Sequence, residues 1–380
     1  MHKMVRRSRT PVVIATAVLA LVSPLSIPTS VAQELLHTFP AGRISGHLAF
    51  SADDQLLAGV GETNNSGWVA VWEVGSGKEV ARLPFGRNTV DEIIFVPGDK
   101  QLALLDLPRG SITLWEFMSG NVRRLDVIEP ESKGSLSSFA FSANGALVAV
   151  AANIALNKSA IRVLQVVDSK HLADLKIVGP GRQIVFGGHS DSLAVAEERY
   201  DRRRKRYAAY VHEWDIDKRE RREEWGPFPM SGTLRRGRKL GSGRMHLSPD
   251  ARMLATTRGN HIVVIEVATG RQVTAGPHPS IAVIGATGFG STSTCLTSLA
   301  FAPRGYTLAT GANGAKTVWL WPIAGSASPK RIEQPELDEV HALKYSPSGK
   351  LLAAGSISYG VQSGGKVHVW RLTEVSETVD

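Results

Sequence analysis

The chain has 380 residues, 43% of them hydrophobic, with 37 Gly and 19 Pro, and a formal net charge of +9. This length fits two average domains or one large all-β domain. A single cysteine, Cys295, excludes an internal disulfide, and the modest bulk basicity means that any cationic site must arise from clustering.

Residues 1–32 have the pattern of a signal peptide. A basic head precedes the apolar run PVVIATAVLALV, and Ser30-Val31-Ala32 supplies small residues before a cleavage site between Ala32 and Gln33. A retained membrane anchor is the alternative, but the run is about half of the ~20 residues that span a bilayer. We therefore expect an exported protein, periplasmic or extracellular, with no transmembrane segment after cleavage. Cleavage removes four positive charges and lowers the net charge from +9 to +5: Lys3, Arg6, Arg7 and Arg9.

Residues 33–380 repeat one pattern seven times. In each copy an anchor residue precedes a polar turn, and an aliphatic residue followed by Ala stands seven and eight positions later. The anchors are Phe50, Phe95, Phe141, Phe186, Leu247, Phe301 and Tyr345. A second anchor lies in a short apolar segment further along each copy: Trp72, Trp115, Leu164, Trp214, Ile265, Trp321 and Trp370. A repeat of about 45–50 residues with four short strands is typical of a β-propeller blade.

The repeat resembles the WD-repeat family. FSADDQLLA, LSPDARMLA and YSPSGKLLA are similar to the turn between the first and second strands of its blades, and the Trp-bearing segments are similar to its third strand. The resemblance implies a seven-bladed β-propeller with four antiparallel strands per blade, and a protein that binds partners. Only Trp214-Asp215 is a Trp-Asp pair, and no regular Gly-His precedes the first strands. We therefore expect the family's polar tetrad to be absent and the blades to be held by apolar packing.

The copies differ in length on one face of the predicted disc, over blades four to six. From anchor to second anchor the step is 22 residues in the first blade and 28 in the fourth, whereas the first turn never changes length. The fourth-blade insertion reads EERYDRRRKRYAAY and carries five consecutive cations. The next connection adds four more cations and has Trp225 near its start. Together they form a candidate anion-binding site: Arg202, Arg203, Arg204, Lys205, Arg206, Arg235, Arg236, Arg238, Lys239 and Trp225.

Two interpretations of this basic cluster stay open. A run of charges is most often a solvated hairpin tip. Clustered Arg beside aromatic residues also suits carboxylates and phosphates. An acidic protein segment, an anionic envelope polymer or a lipid head group would then be the partner. Nucleic acid is disfavoured because an exported protein rarely meets it.

Catalytic, metal and cofactor signals are weak. IAVIGATGFG, residues 281–290, is similar to a dinucleotide-binding turn, but no helix pattern follows it. GHSDS, residues 188–192, lacks the second Gly of a nucleophile elbow. No His pair has metal-ligand spacing within one loop, and His212 and His368 occupy equivalent positions in third strands, where packing is expected. We therefore expect no catalytic residue, no metal and no cofactor.

The last blade lacks its own outer strand, because the charged segment TEVSETVD follows Trp370. The segment ELLHTFP, which follows the predicted cleavage site, has the pattern of an outer strand without a blade. We expect Leu35 to Phe39 to pair beside Trp370 and to close the ring, which removes two open strand edges.

Three functions are compatible with the sequence. The first is an exported, non-enzymatic interaction scaffold. The second is a propeller enzyme of the lactonase or hydrolase type, with a site at the mouth of the central channel. That class gathers acids, His or a metal there, whereas only DEIIF and DEVHALKY place acids at the start of a first strand. The third is a permanent subunit of a larger envelope assembly.

Overall fold

The computed structural model describes residues 30–63, 66–86, 90–98, 100–106, 110–128, 135–155, 158–187, 192–201, 203, 206–230, 245–258, 261–278, 296–304, 307–312, 316–323, 328–334, 336–337, 339–357 and 364–375. The predicted signal peptide up to residue 29, the Gly-rich stretch 281–290 and Cys295 lie outside these ranges. The described residues form strands and turns and contain no helix.

The strands, in chain order, are β1 (Ser30–Phe50), β2 (Leu56–Thr63), β3 (Ser66–Glu73), β4 (Glu79–Gly86), β5 (Val90–Phe95), β6 (Leu102–Asp106), β7 (Ser111–Trp115), β8 (Val122–Asp126), β9 (Ser135–Phe141), β10 (Leu147–Ala155), β11 (Lys158–Gln165), β12 (His171–Ile177), β13 (Gly181–Phe186), β14 (Ser192–Asp201), β15 (Arg206–Asp215), β16 (Glu220–Pro229), β17 (Met245–Leu247), β18 (Met253–Arg258), β19 (His261–Glu266), β20 (Gln272–Pro277), β21 (Leu296–Phe301), β22 (Thr307–Ala312), β23 (Thr317–Pro322), β24 (Lys330–Glu333), β25 (Glu339–Tyr345), β26 (Leu351–Ile357) and β27 (Gly365–Val375).

These strands form a seven-bladed β-propeller with four antiparallel strands in each blade. The first strands of successive blades contact one another around the ring, from β1 through β5, β9, β13, β17 and β21 to β25 and back to β1. Each of the seven predicted anchors ends the first strand of its blade. Each aliphatic residue seven positions later pairs in register with the second anchor, as Leu57 does with Trp72. The predicted fold is confirmed.

A backbone hydrogen bond spans the first turn in all seven blades, and in four of them a serine also holds the turn from inside. The Ser51 hydroxyl donates to Asp53 Oδ1 at 2.6 Å and accepts the Leu56 amide at 2.8 Å. Asp54 between them has φ +63°, the left-handed conformation that such a tight turn requires. Three other blades repeat the serine hydroxyl and the amide it accepts: Ser142 with Leu147, Ser248 with Met253, and Ser346 with Leu351.

The ring closes as the sequence predicts. Strand β1 belongs to two blades: its first half pairs with β27, and its last residues pair with β2. Leu35 lies opposite Trp370, and Phe39 lies opposite Val367. The Phe39 side chain is buried and stacks on Trp72 of the first blade, with ring centroids 4.9 Å apart. The closing strand therefore joins the last blade to the first through both hydrogen bonds and aromatic packing.

Polar side chains join neighbouring blades at a repeated bulge in the first strands. The Ser137 hydroxyl donates to the Gly181 carbonyl of the next blade at 2.6 Å. Thr297 occupies the equivalent bulge in β21 and donates to the Val340 carbonyl of β25. Both hydroxyls belong to the extra residue of a bulge and bond to the backbone of the following blade.

The sixth blade adds buried polar contacts to its apolar packing. Trp321 Nε1 donates to Thr310 Oγ1 at 2.9 Å, and His278 Nε2 lies 3.1 Å from the same oxygen. All three residues are buried, and burial lowers the pKa of His278 to about 4. The hydroxyl and the indole of blade six thus form a hydrogen-bonded chain with a neutral histidine that follows the last strand of blade five. This blade therefore combines the expected apolar packing with one buried polar contact chain.

Candidate interaction site on the blade-four hairpin

Strands β14 and β15 form the longest hairpin between second and third strands in the described part of the ring. The pairing runs without interruption from Ser192 and Asp215 to Asp201 and Arg206. Neighbouring strands end earlier, since β13 pairs with β14 only as far as Glu197, and β16 pairs with β15 only as far as Ala208. The last two pairs, Tyr200 with Tyr207 and Asp201 with Arg206, therefore form a two-stranded ribbon beyond the blade.

The ribbon presents aromatic and cationic groups to solvent. Tyr200 and Tyr207 are 48% and 41% exposed, and their rings meet edge to face with centroids 5.2 Å apart. Arg203 and Arg206 are both exposed, and the Arg203 amide donates to Asp201 Oδ1 at 2.9 Å. Of the five consecutive cations, Arg202, Arg204 and Lys205 lie outside the described residues.

A buried ion network holds the base of the hairpin. Glu197 is fully buried; it accepts the Arg199 guanidinium at 2.7 Å and lies 2.9 Å from His212 Nε2. Arg199 also contacts Glu224 of β16 at 3.2 Å. The sequence analysis did not identify this network; the alternation of Glu197 and Arg199 along one strand face was its only signal.

The electrostatics of the network favour the ionised carboxylate. Burial opposes the ionisation of Glu197, but hydrogen bonds from His212, Arg199 and the Gly179 amide outweigh it and hold its pKa at about 2. Burial likewise opposes ionisation of Glu224, yet the Arg199 guanidinium lowers its pKa. The guanidinium also stacks over the Tyr210 ring, 4.3 Å from its centroid. Five side chains from three strands thus fix the direction of the hairpin.

The second part of the predicted cluster has a different setting. Arg235, Arg236, Arg238 and Lys239 lie outside the described residues. Trp225 lies within strand β16 and pairs with Val211, upstream of the connection that the sequence analysis assigned to it. Its side chain is partly buried and packs against the apolar core between blades four and five. Trp225 therefore contributes to packing beneath the hairpin.

Within the described ranges, no group of three or more His, Cys, Asp or Glu side chains could hold a metal ion. His212 and His368 are both buried, and His368 Nδ1 lies 3.1 Å from Thr38 Oγ1 of the closing strand. Of the segment 188–192, which is similar to a nucleophile elbow, the structure describes only Ser192, whose hydroxyl donates to Glu213 at 3.1 Å.

The portion of the chain that the structure describes contains no helix of sufficient length and apolarity to cross a membrane. Neither a protein-family model nor a curated protein matches the sequence.

Proposed function

We propose that the protein is an exported, non-enzymatic interaction scaffold of the WD-repeat kind, which docks an anionic partner on the blade-four hairpin. The supporting observation is the ribbon beyond the blade, with exposed Tyr200 and Tyr207 beside exposed Arg203 and Arg206. Arginine donates several hydrogen bonds in a fixed planar array, and tyrosine adds rigid contact area, so the pair suits carboxylate-rich surfaces. An acidic protein segment is the preferred partner, with an anionic polymer as the alternative.

The ion network supports the same proposal. A projecting hairpin binds its partner more weakly if it becomes ordered only on binding, because the entropy lost in ordering subtracts from the binding free energy. The contacts among Glu197, Arg199, His212 and Glu224 fix the ribbon before any partner arrives. The basic tip then acts mainly by accelerating encounter with an anionic surface.

The enzymatic alternative has less support. It requires acids that converge on the channel mouth and remain available to substrate. Of the acids in DEIIF and DEVHALKY, Glu92 accepts the Phe139 amide of the next blade at 3.1 Å. Glu339 lies 3.4 Å from His341 of its own strand. These two acids have contacts within the scaffold.

The test is a double variant, Arg203→Ser with Arg206→Ser, and its matched control is Arg252→Ser with Arg271→Ser. The control removes two exposed cations from blade five. Retention on immobilised polyglutamate is measured from low to high salt. The hairpin variant should elute at lower salt and associate more slowly than the control, while its stability changes by less than about 0.5 kcal/mol. Equal elution of the two variants would leave the basic run as an ordinary solvated tip.

A further inference from the structure

A pocket of about 1000 Å³ opens on the face opposite the hairpin, where the first turns of blades one, six and seven meet. The hairpin tip is a turn between second and third strands, whereas this pocket is lined by turns between first and second strands. Its volume reaches the upper end of the range of roughly 300–1000 Å³ found for small-molecule sites. Because the two sets of turns lie on opposite faces, the pocket is spatially separate from the proposed docking hairpin.

The pocket has an apolar lining with one unsatisfied polar group. Leu36 of the closing strand, Leu320, Leu351 and Leu372 contribute aliphatic surface from four different strands. Tyr345 also lines it; this residue is 6% exposed, and its hydroxyl has no hydrogen-bond partner among the described residues. The hydroxyl is closed off from the pocket as the structure stands, so a ligand bonds to it only after a shift of its neighbours, and such a bond recovers the cost of leaving a buried hydroxyl without a partner.

Three cationic side chains belong to the polar part of the lining. Arg304 and Lys350 are exposed, and in the described part of the chain neither side chain has an ion-pair or hydrogen-bond partner. Arg371 is occupied by Glu34 at 2.7 Å. His37 also lines the pocket.

Two carboxylates also line the pocket, and both have internal partners. Asp53 accepts the Ser51 hydroxyl at 2.6 Å and the Gln55 amide at 2.9 Å. Asp54 accepts the Ser346 hydroxyl at 2.9 Å, which links the turns of blades one and seven. The groups left for a ligand are thus the two cations, the Tyr345 hydroxyl and the aliphatic surface.

We propose that this pocket binds a small amphipathic carboxylate, with its anionic head between Arg304 and Lys350 and its hydrocarbon body on the leucines. Leu36 and His37 belong to the closing strand, whereas Arg304 and Lys350 belong to blades six and seven. A bound ligand therefore joins the closing strand to two blades and slows its detachment.

The test measures binding of decanoate, below its micellar concentration, by calorimetry. Decyltrimethylammonium has the same chain with a cationic head, and acetate provides the head alone. Decanoate should bind with a stoichiometry of one, and neither control compound should bind measurably. Arg304→Gln and Lys350→Gln should each weaken decanoate binding about tenfold, the loss of one charge-assisted hydrogen bond. Arg252→Gln is the matched control, because Arg252 occupies in blade five the turn position that Lys350 has in blade seven; it should bind as the wild type does.

Two further measurements test the geometry. Tyr345→Phe removes only the unpartnered hydroxyl, so it should leave the unliganded protein at least as stable as the wild type while weakening decanoate binding severalfold. Hydrogen exchange of residues 33–40 should slow when decanoate is present. Absence of binding up to millimolar decanoate, equal binding of the cationic analogue, or equal affinity of the Arg252 and Lys350 variants would each overturn the proposal.

Discussion

Phe39→Ala should destabilise the propeller strongly, because Phe39 fixes the closing strand to the first blade. The side chain is 4% exposed and stacks on Trp72 at 4.9 Å. Truncation of a buried Phe to Ala costs about 3–5 kcal/mol, from lost burial and the cavity that remains. Leu35 on the same strand is 41% exposed, so Leu35→Ala should cost only about 1 kcal/mol.

Urea unfolding of the two variants measures this difference in the free energy of unfolding. Hydrogen exchange adds a local readout, because Phe39→Ala should raise exchange first along the β1–β27 ladder, where closure is made. Similar losses of unfolding free energy for Phe39→Ala and Leu35→Ala would refute the reasoning. It would mean that backbone pairing alone closes the ring.

Three other predictions concern the core and its charges. Trp115→Ala should cost about 3–5 kcal/mol in urea unfolding, because Trp115 is 2% exposed; a near-neutral result would contradict the strand register. Glu197 has a pKa of about 2 in the fold against an ordinary 4.5, so its charge contributes about 3 kcal/mol above pH 4.5, which is lost as pH falls towards 2. Glu197→Gln should therefore be least stable relative to wild type at neutral pH, and a constant difference from pH 7 to 2 would exclude this linkage. Burial lowers the pKa of His278 and of His368 from an ordinary 6.5 to about 4. Between pH 6.5 and 4 the unfolded chain therefore binds more protons than the folded one, so the melting temperature should fall as the pH falls through that window. His278→Gln and His368→Gln should each make this fall in melting temperature smaller.

The repeat could be predicted because propeller blades are local: each anchor and its turn lie within nine consecutive residues. Even the closing strand was predictable, since ELLHTFP carries strand alternation and the last blade lacks an equivalent. The basic run was visible by composition alone. Its rigid base was not, because Arg199 and Glu224 meet only through the pairing of three strands.

The remaining features depend on contacts between distant segments. Thr310 and His278 are 32 residues apart and join only when two blades are stacked. The pocket on the opposite face is lined by Leu36, Arg304 and Lys350 from three regions of the chain. The turns that form this face keep a constant length in all seven repeats, so no difference between the repeats indicates a binding site on this face. A binding surface built from constant turns leaves its signal in side-chain chemistry, not in insertions.

Ring closure also sets the order in which the protein can fold. Thr38 and His368 are 330 residues apart and meet across the closing ladder. Contacts of such sequence separation form late, because the loop-closure entropy must be lost before they contribute. During synthesis the completed blades can form only an open arc, because the first half of β1 has no partner until β27 has been made. The pairing of β27 with the first half of β1 is therefore the step that completes the ring. A circular permutation that joins the two ends should accelerate folding without altering the finished ring.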